Sequence, residues 1–202
     1  MKLLHFSDWH GRFRDTSGPG NTITTPSGSL WRDAVSECDI IVCSGDLLPN
    51  ASRGYPAIEV LYQIKWLKEN LDKFSWIGSR PFLFVGGNHD FTDPCPILRD
   101  AGINALNIED KIHEELGIKF YGFPGIPYLS GEWNYELTPM EMAKKVNEIP
   151  FGEFDVLVCH APLAGYLDSS IDGRVGNTAL TNRLFYGVDK WPKAILSGHV
   201  HE

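Results

Sequence analysis

Five short apolar runs at wide intervals constrain the fold of this 202-residue chain more than any other feature of its sequence. They occupy residues 3–6, 40–43, 82–85, 156–159 and 194–196. Each run is almost continuously apolar rather than alternating, which is typical of strands that are covered on both faces, as in parallel sheets. The intervals leave room for helices, and strands that alternate with helices predict an α/β fold.

Helical patterns occur in these intervals. Apolar residues recur every three or four positions between the second and third runs, with charged residues among them, which predicts an amphipathic helix. Its apolar positions are Ile58, Leu61, Ile64, Leu67, Leu71 and Phe74. Thr-Pro-Met-Glu at 138–141 is a capping box with proline at the first helical position, and it predicts a helix that runs to about Glu148. Less regular patterns predict helices over 30–37 and 178–186 and a β-hairpin over 111–121.

Two irregular segments lie outside these patterns. Residues 15–29 are rich in Gly, Ser, Thr and Pro, and residues 122–133 contain prolines and aromatic side chains. Long irregular segments in compact domains are often functional, and an ordinary surface loop is an equally common explanation.

Composition and charge exclude several classes of protein. Lys and Arg number 18 and Asp and Glu number 26, a formal net charge of −8, so the chain has no bulk attraction to nucleic acid or anionic lipid. No run approaches the about 18 apolar residues of a membrane span, and the apolar stretch 1–6 is too short for a signal peptide. The four cysteines form no CxxC pair and two lie in apolar runs, which predicts reduced core residues of a cytoplasmic protein. The length fits one domain over 1–202.

Each apolar run is followed within a few residues by side chains that bind metal ions. They are Asp8 and His10, Asp46, Asn88 with His89 and Asp90, His160, and His199 with His201. An Asp or His after a single strand is usually a turn former or a surface residue. In α/β sheets, however, ligand sites gather at the carboxyl ends of the strands, and five such groups in the same position are improbable as coincidence.

These groups resemble the five signature blocks of the calcineurin-like metallophosphoesterases. The blocks are Asp8-x-His10, Gly45-Asp46, Gly87-Asn88-His89-Asp90, His160 and Gly198-His199-Val200-His201, in the family's order and across essentially the whole chain. The resemblance implies a two-metal hydrolase on a four-layer α/β/β/α sandwich.

The resemblance also implies a role for each residue. Asp8, His10 and His201 would hold the first ion, Asn88, His160 and His199 the second, and Asp46 would bridge both. His89 would face the substrate phosphate without binding a metal, and Asp90 would orient it. Imidazole and carboxylate ligands suit divalent transition ions such as Mn²⁺, Fe²⁺/Fe³⁺, Zn²⁺ or Ni²⁺, among which we favour Mn²⁺. Two such ions clamp the attacking and leaving oxygens of an in-line displacement, with a bridging hydroxide as nucleophile. His89, as an imidazolium, could stabilise the transition state or protonate the leaving alkoxide.

The details of the blocks narrow the substrate. The protein-phosphatase branch usually carries Asp-Arg-Gly soon after the second block, whereas Leu-Leu-Pro-Asn follows Asp46 here, and the third block ends in Asp90 instead of Glu. The segments Tyr-Gly-Phe-Pro at 121–124, His-Ala-Pro-Leu-Ala-Gly at 160–165 and His-Val-His-Glu at 199–202 are similar to a small branch of cyclic-nucleotide phosphodiesterase-like members. The resemblance therefore implies a phosphodiesterase that acts on a small, nucleotide-like phosphodiester.

Three alternatives remain open at this point: a phosphomonoesterase, a nuclease of the same family, and a non-catalytic protein-binding scaffold of the same fold. Scaffold members are expected to lose the substrate-facing histidine or some ligands, whereas every such position is filled here. The expected partner is a small phosphoester, and we expect neither a membrane nor nucleic acid. Because the family normally continues past the last histidine block, a chain that stops at Glu202 is expected to be shortened.

Overall fold

Strands and helices alternate along the chain as the apolar pattern predicts. The computed structural model describes residues 1–12, 29–51, 55–171 and 173–201. The elements in chain order are β1 (Leu3–Phe6), α1 (Ser29–Glu37), β2 (Ile40–Cys43), α2 (Pro56–Glu69), a 3-10 helix (Leu71–Ile77), β3 (Phe82–Phe84), α3 (Cys95–Asp100), β4 (Ala105–Asn107), β5 (Ile112–Glu115), β6 (Ile118–Phe123), β7 (Ile126–Pro127), β8 (Glu136–Leu137), α4 (Pro139–Glu148), β9 (Val156–Cys159), β10 (Ser169–Ser170), β11 (Gly173–Arg174), α5 (Thr178–Gly187) and β12 (Ala194–Leu196). All five apolar runs form strands.

The longer strands form two four-stranded sheets. The first has the order β1-β2-β3-β4 and is parallel throughout. The second has the order β12-β9-β6-β5, and within it β5 pairs antiparallel with β6 while β6, β9 and β12 are parallel. The predicted mixed α/β class is confirmed, and the count of four layers stays a prediction.

Both faces of the central strands are buried, which explains their continuous apolarity. Ile40 and Val42 of β2 share an apolar cluster with Val156 and Val158 of β9, so this cluster joins the two sheets. The alternate residues of β2 pack with Leu67 and with the 3-10 helix. The alternate residues of β9 pack with α4 and α5.

The helix predicted over 58–74 differs from the structure in length and in its buried face. Helix α2 ends at Glu69, and residues 71–77 form the 3-10 helix. Ile58 and Leu61 are 50% and 71% exposed, whereas Glu59 and Gln63 are buried. Glu59 and Gln63 are buried because they pack against loops whose backbone groups need hydrogen-bond partners, as described below.

The other predicted elements agree closely with the structure. The capping box at Thr138 begins α4, and the hairpin of β5 and β6 turns at Leu116 and Gly117, which both have positive φ. Helices α1 and α5 are present with ends within one residue of the prediction. The irregular segment 15–29 lies outside the described residues, apart from Ser29. None of the helices in the described ranges is long and apolar enough to cross a membrane.

Candidate metal centre

The carboxyl ends of five strands bring the nine predicted site residues together. Asp8 and His10 follow β1, Asp46 follows β2, Asn88, His89 and Asp90 follow β3, His160 follows β9, and His199 and His201 follow β12. Backbone hydrogen bonds join these loops: the N–H of Asp8 donates to the carbonyl of Gly45 (2.9 Å), and the N–H of Gly198 donates to the carbonyl of His160 (2.9 Å). The centre therefore includes loops from both sheets.

The backbone of the centre is strained at four of these residues. Asp8, His10, Asp46 and His199 have φ values of 57°, 50°, 55° and 72°, in the left-handed region that residues with a Cβ rarely adopt. Such conformations cost of order 1–3 kcal/mol each and persist where the surroundings determine them. Their clustering at the strand ends is typical of a functional site.

Two glycines allow the loops to close on Asp46. A Cβ on Gly45, whose φ is 105°, would lie 2.5 Å from Nδ1 of His160. A Cβ on Gly87 would collide with Oδ1 of Asp46. Only glycine fits at these two positions without displacing the side chain of His160 or Asp46.

Asp46 lies at the middle of the cluster. Its Oδ2 is 3.3 Å from Nε2 of His160 and 3.9 Å from Nε2 of both His10 and His89. Its Oδ1 accepts a hydrogen bond from the backbone N–H of His89 (2.8 Å). Burial opposes ionisation of this carboxyl, but His160, His89 and His10 together hold the pKa of Asp46 well below its usual range. A buried carboxylate that faces three ring nitrogens can share a cation with them.

His160 presents Nε2 to this centre. Its Nδ1 lies 2.7 Å from the carbonyl oxygen of Ser44, which can only accept, so Nδ1 carries the hydrogen. Nε2 then lies 3.0 Å from Oδ1 of Asn88 and beside Asp46. Burial favours the neutral ring, but the attraction of Asp46 prevails and raises the pKa of His160 to about 9. A positive charge at Nε2, from a proton or a metal ion, stabilises this arrangement.

Asp8, His10 and His201 form a second group of ligand atoms. Nε2 of His201 is 3.1 Å from Oδ1 of Asp8 and 3.4 Å from Nε2 of His10. Burial lowers the pKa of His10 to about 4, so its ring is neutral and offers a lone pair. The Asp8 carboxylate also accepts the backbone N–H of His199 (2.9 Å), which ties the loop after β12 to the loop after β1.

The donor set fits divalent metal ions. Within the described ranges, ligand atoms that all lie within 4.8 Å of one another form three groups, and Asp46 or Asp8 belongs to each. They are Asp8, His10 and His201; His10, Asp46 and His89; and Asp8, Asp46 and His160. Each group combines imidazole nitrogen with carboxylate oxygen, the ligands that divalent transition ions prefer. His199 lies beside this set, with its ring 5.0 Å from that of His160, and burial lowers its pKa to about 4.

The residue that orients His89 differs from the expectation. Nδ1 of His89 contacts Oδ1 of Asn50, not Asp90. The Asp90 carboxylate instead accepts the backbone N–H groups of Leu48 and Gly87, each at 2.9 Å. The Asp90 carboxylate is fully buried and is occupied by these donors. Burial and the neighbouring Asp46 raise the pKa of Asp90 to about 7. Asp90 therefore holds the loops together, and Asn50 replaces it as the partner of the His89 ring.

Trp133 forms one wall beside His89. The two ring centroids are 4.3 Å apart, with an angle of 45° between the ring planes. The Trp133 loop is anchored by the Glu136 carboxylate, which accepts the backbone N–H groups of Leu129, Ser130, Gly131 and Trp133. Trp133 is not among the site residues predicted from the sequence. Its place at the end of the irregular segment 122–133, which is marked by aromatic residues, is the feature of the sequence that could have indicated this position.

Comparisons with known proteins agree with the geometry. The sequence model of the family described as calcineurin-like phosphoesterase matches residues 1–202. A UPF0046 protein of Caenorhabditis elegans is 37% identical over 106 residues, which are 52% of this chain and 26% of that relative. The match thus covers about a quarter of the relative's length.

Asp46→Asn tests whether this carboxylate is shared between two ions. The substitution removes the negative charge at the middle of the cluster, so binding at both ion positions is expected to weaken by more than the about 10–100-fold that outer-shell changes cause. Calorimetric titration of the metal-free chain with Mn²⁺ measures this. Asp155→Asn is the matched control, because it removes a carboxylate that pairs with Lys193 instead. Two ions bound to the Asp46 variant at wild-type affinity would contradict the bridging role.

Proposed function

Because this chain belongs to the calcineurin-like phosphoesterase family, we propose that it hydrolyses small, nucleotide-like phosphodiesters with the help of two divalent metal ions. The observation that carries the proposal is the buried Asp46 carboxylate, which faces the Nε2 atoms of His10, His89 and His160 at the ends of the strands. Two cations held by such a cluster would place positive charge beside the phosphoryl oxygens of a substrate.

The ligands divide into two sets around Asp46. Asp8, His10 and His201 would hold one ion, Asn88, His160 and His199 would hold the other, and Asp46 would contact both. Bound ions, of which we favour Mn²⁺, supply Lewis acidity toward phosphoryl oxygens and lower the pKa of water toward about 7. The hydrogen bond from His160 to Ser44 leaves Nε2 of His160 as its ligand atom, which supports this division.

His89 is proposed to deliver a proton to the leaving oxygen. Its Nδ1 is occupied by Asn50, so Nε2 is the nitrogen that faces the centre. Burial holds the pKa of His89 below its ordinary value, in spite of the attraction of Asp46, so the charged ring gives up its proton readily. An alkyl or ribose alkoxide is a poor leaving group and needs such a proton.

The rim of the centre favours a small substrate with a flat group. The His89 and His201 side chains are 26% and 44% exposed, so the cluster is accessible from solvent. Trp133 is half-buried beside His89, and aromatic side chains at the rim of a site bind nucleobases by stacking. The net charge of −8 disfavours a long nucleic acid.

The four cysteines are free and buried, which suits the reducing cytoplasm that we propose as the location.

Hydrolysis of model esters tests the proposal directly. With Mn²⁺ added, the chain is expected to hydrolyse bis(p-nitrophenyl) phosphate faster than p-nitrophenyl phosphate, and exhaustive chelation is expected to abolish both activities. Activity that survives chelation would contradict the metal-dependent reaction. A preference for the monoester would favour a phosphomonoesterase. Cleavage of single-stranded DNA would favour a nuclease, and no turnover of any ester would favour a binding scaffold.

His89→Ala separates the acid role of this residue from a ligand role. If His89 delivers the proton, the variant keeps its metal content and loses about 10²–10⁴-fold in kcat on an alkyl ester. The loss on a p-nitrophenyl ester is expected to be smaller, because p-nitrophenolate leaves without a proton. Metal content is measured by elemental analysis on the same sample as both rates. Loss of an ion would assign His89 as a ligand, and equal losses on both esters would refute the acid role.

Trp133→Ala tests the stacking wall. Stacking on an aromatic side chain contributes about 1–3 kcal/mol per base, so the variant is expected to raise KM for a cyclic nucleotide by about fivefold or more. KM for dimethyl phosphate, which has no flat group, is expected to change little. Trp191→Ala serves as the control, because Trp191 is also partly exposed but packs against Phe185. An equal change for both substrates would contradict stacking.

A further inference from the structure

Helix α2 buries two polar side chains and exposes two of the apolar residues that periodicity predicts to be buried. Glu59 and Gln63 are 1% and 0% exposed, while Ile58 and Leu61 face solvent. A buried polar group without a partner costs about 1–3 kcal/mol, so such groups persist where they make hydrogen bonds. Glu59 and Gln63 are four residues apart and therefore lie on the same side of the helix. That side contacts the loops that carry Asn50 and His89.

Gln63 holds the backbone on both sides of His89. Its Nε2 donates to the carbonyl of His89 (2.7 Å) and to that of Pro49 (3.2 Å). Its Oε1 accepts the N–H of Phe91 (2.8 Å). Both ends of the amide are used, so the side chain is fixed and the loop after β3 is tied to the loop after β2.

Glu59 fixes which way the Asn50 amide points. Its Oε2 accepts from Nδ2 of Asn50 (3.3 Å) and from the backbone N–H of Ala51 (2.9 Å). Nδ2 of Asn50 also donates to the carbonyl of His89 (3.1 Å). With the amide nitrogen committed to two acceptors, Oδ1 is the atom that contacts Nδ1 of His89. An amide oxygen only accepts, so Nδ1 of His89 must carry the hydrogen.

We infer that Glu59, through Asn50, and Gln63 are positioning residues that hold His89 as the Nδ1–H tautomer with Nε2 toward the substrate. This inference rests on the proposed role of His89, whereas the tautomer itself is a property of the metal-free chain. When the charged ring gives its Nε2 proton to the leaving oxygen, an alcohol forms and the neutral ring retains the hydrogen on Nδ1. That tautomer accepts the next proton at Nε2 without rotation of the ring.

The tautomer is measured by ¹⁵N NMR of the histidine rings in the metal-free chain, at a pH where His89 is neutral. In the wild type, Nδ1 of His89 is expected to give the signal of a protonated nitrogen and Nε2 that of an unprotonated one. Asn50→Leu, Glu59→Leu and Gln63→Met are expected to shift the ring toward a mixture of both tautomers. Glu59→Gln keeps an oxygen acceptor, so the His89 ring of this variant is expected to give the wild-type signals. Leu61→Ala, on the exposed face of α2, is the matched control.

Kinetics with metal bound show whether the variants act through His89. Asn50→Leu and Glu59→Leu are expected to lower kcat on an alkyl ester by about tenfold or more, within the about 10⁴-fold limit of acid catalysis, with little change in KM. In a His89→Ala background the same substitutions are expected to have no further effect, because the group that they position is absent. A general loss of packing would lower activity in both backgrounds and would overturn the positioning role.

Glu59→Gln keeps the inference testable if Glu59→Leu fails to fold. Its amide oxygen can still accept from Nδ2 of Asn50 and from the backbone N–H of Ala51, so the wild-type tautomer is expected. A wild-type tautomer in Asn50→Leu, or a mixture in Glu59→Gln, would overturn the inference. A shifted tautomer with unchanged turnover would leave the positioning in place and refute the proposed acid role of His89.

Discussion

The arrangement of the centre depends on the need to compensate one buried carboxylate. Asp46 ionises in a fully buried position, and a buried negative charge persists only where opposite charge or hydrogen bonds surround it. The charged ring of His160, whose Nε2 is 3.3 Å from Oδ2 of Asp46, and the backbone N–H of His89 meet that need. The close approach of the loops to Asp46 and His160 explains why glycine stands at 45 and 87.

Much of the fold and of the cluster could be predicted from the sequence, for a physical reason. Strands covered on both faces are continuously apolar, and the polar side chains at their carboxyl ends follow them directly in the chain. The runs at 40–43 and 156–159 therefore indicated their strands, and Asp46 and His160 could be expected to lie near each other. Thr138 and Glu141 likewise indicated the start of α4, because a capping box is a local interaction.

What could not be predicted involves hydrogen bonds between segments distant in sequence. Periodicity placed Leu61 on the buried face of α2, yet Gln63 is buried because it meets the carbonyls of Pro49 and His89. The family resemblance suggested Asp90 as the partner of His89, yet Asn50 reaches the ring from the preceding loop. In both cases the deciding factor is a set of backbone groups that becomes visible only once the loops are placed.

The link between the loops of the two sheets has a consequence for folding. The first sheet is built from residues 3–107 and the second from residues 112–196, so each half of the chain supplies one sheet. The bonds from His160 to Ser44 and from His199 to Asp8 join partners 116 and 191 positions apart. Contacts of such separation form after local ones, because closing long loops costs chain entropy. The centre is thus assembled when the two halves of the chain pack together. An intact centre therefore indicates this packing more directly than helix content does.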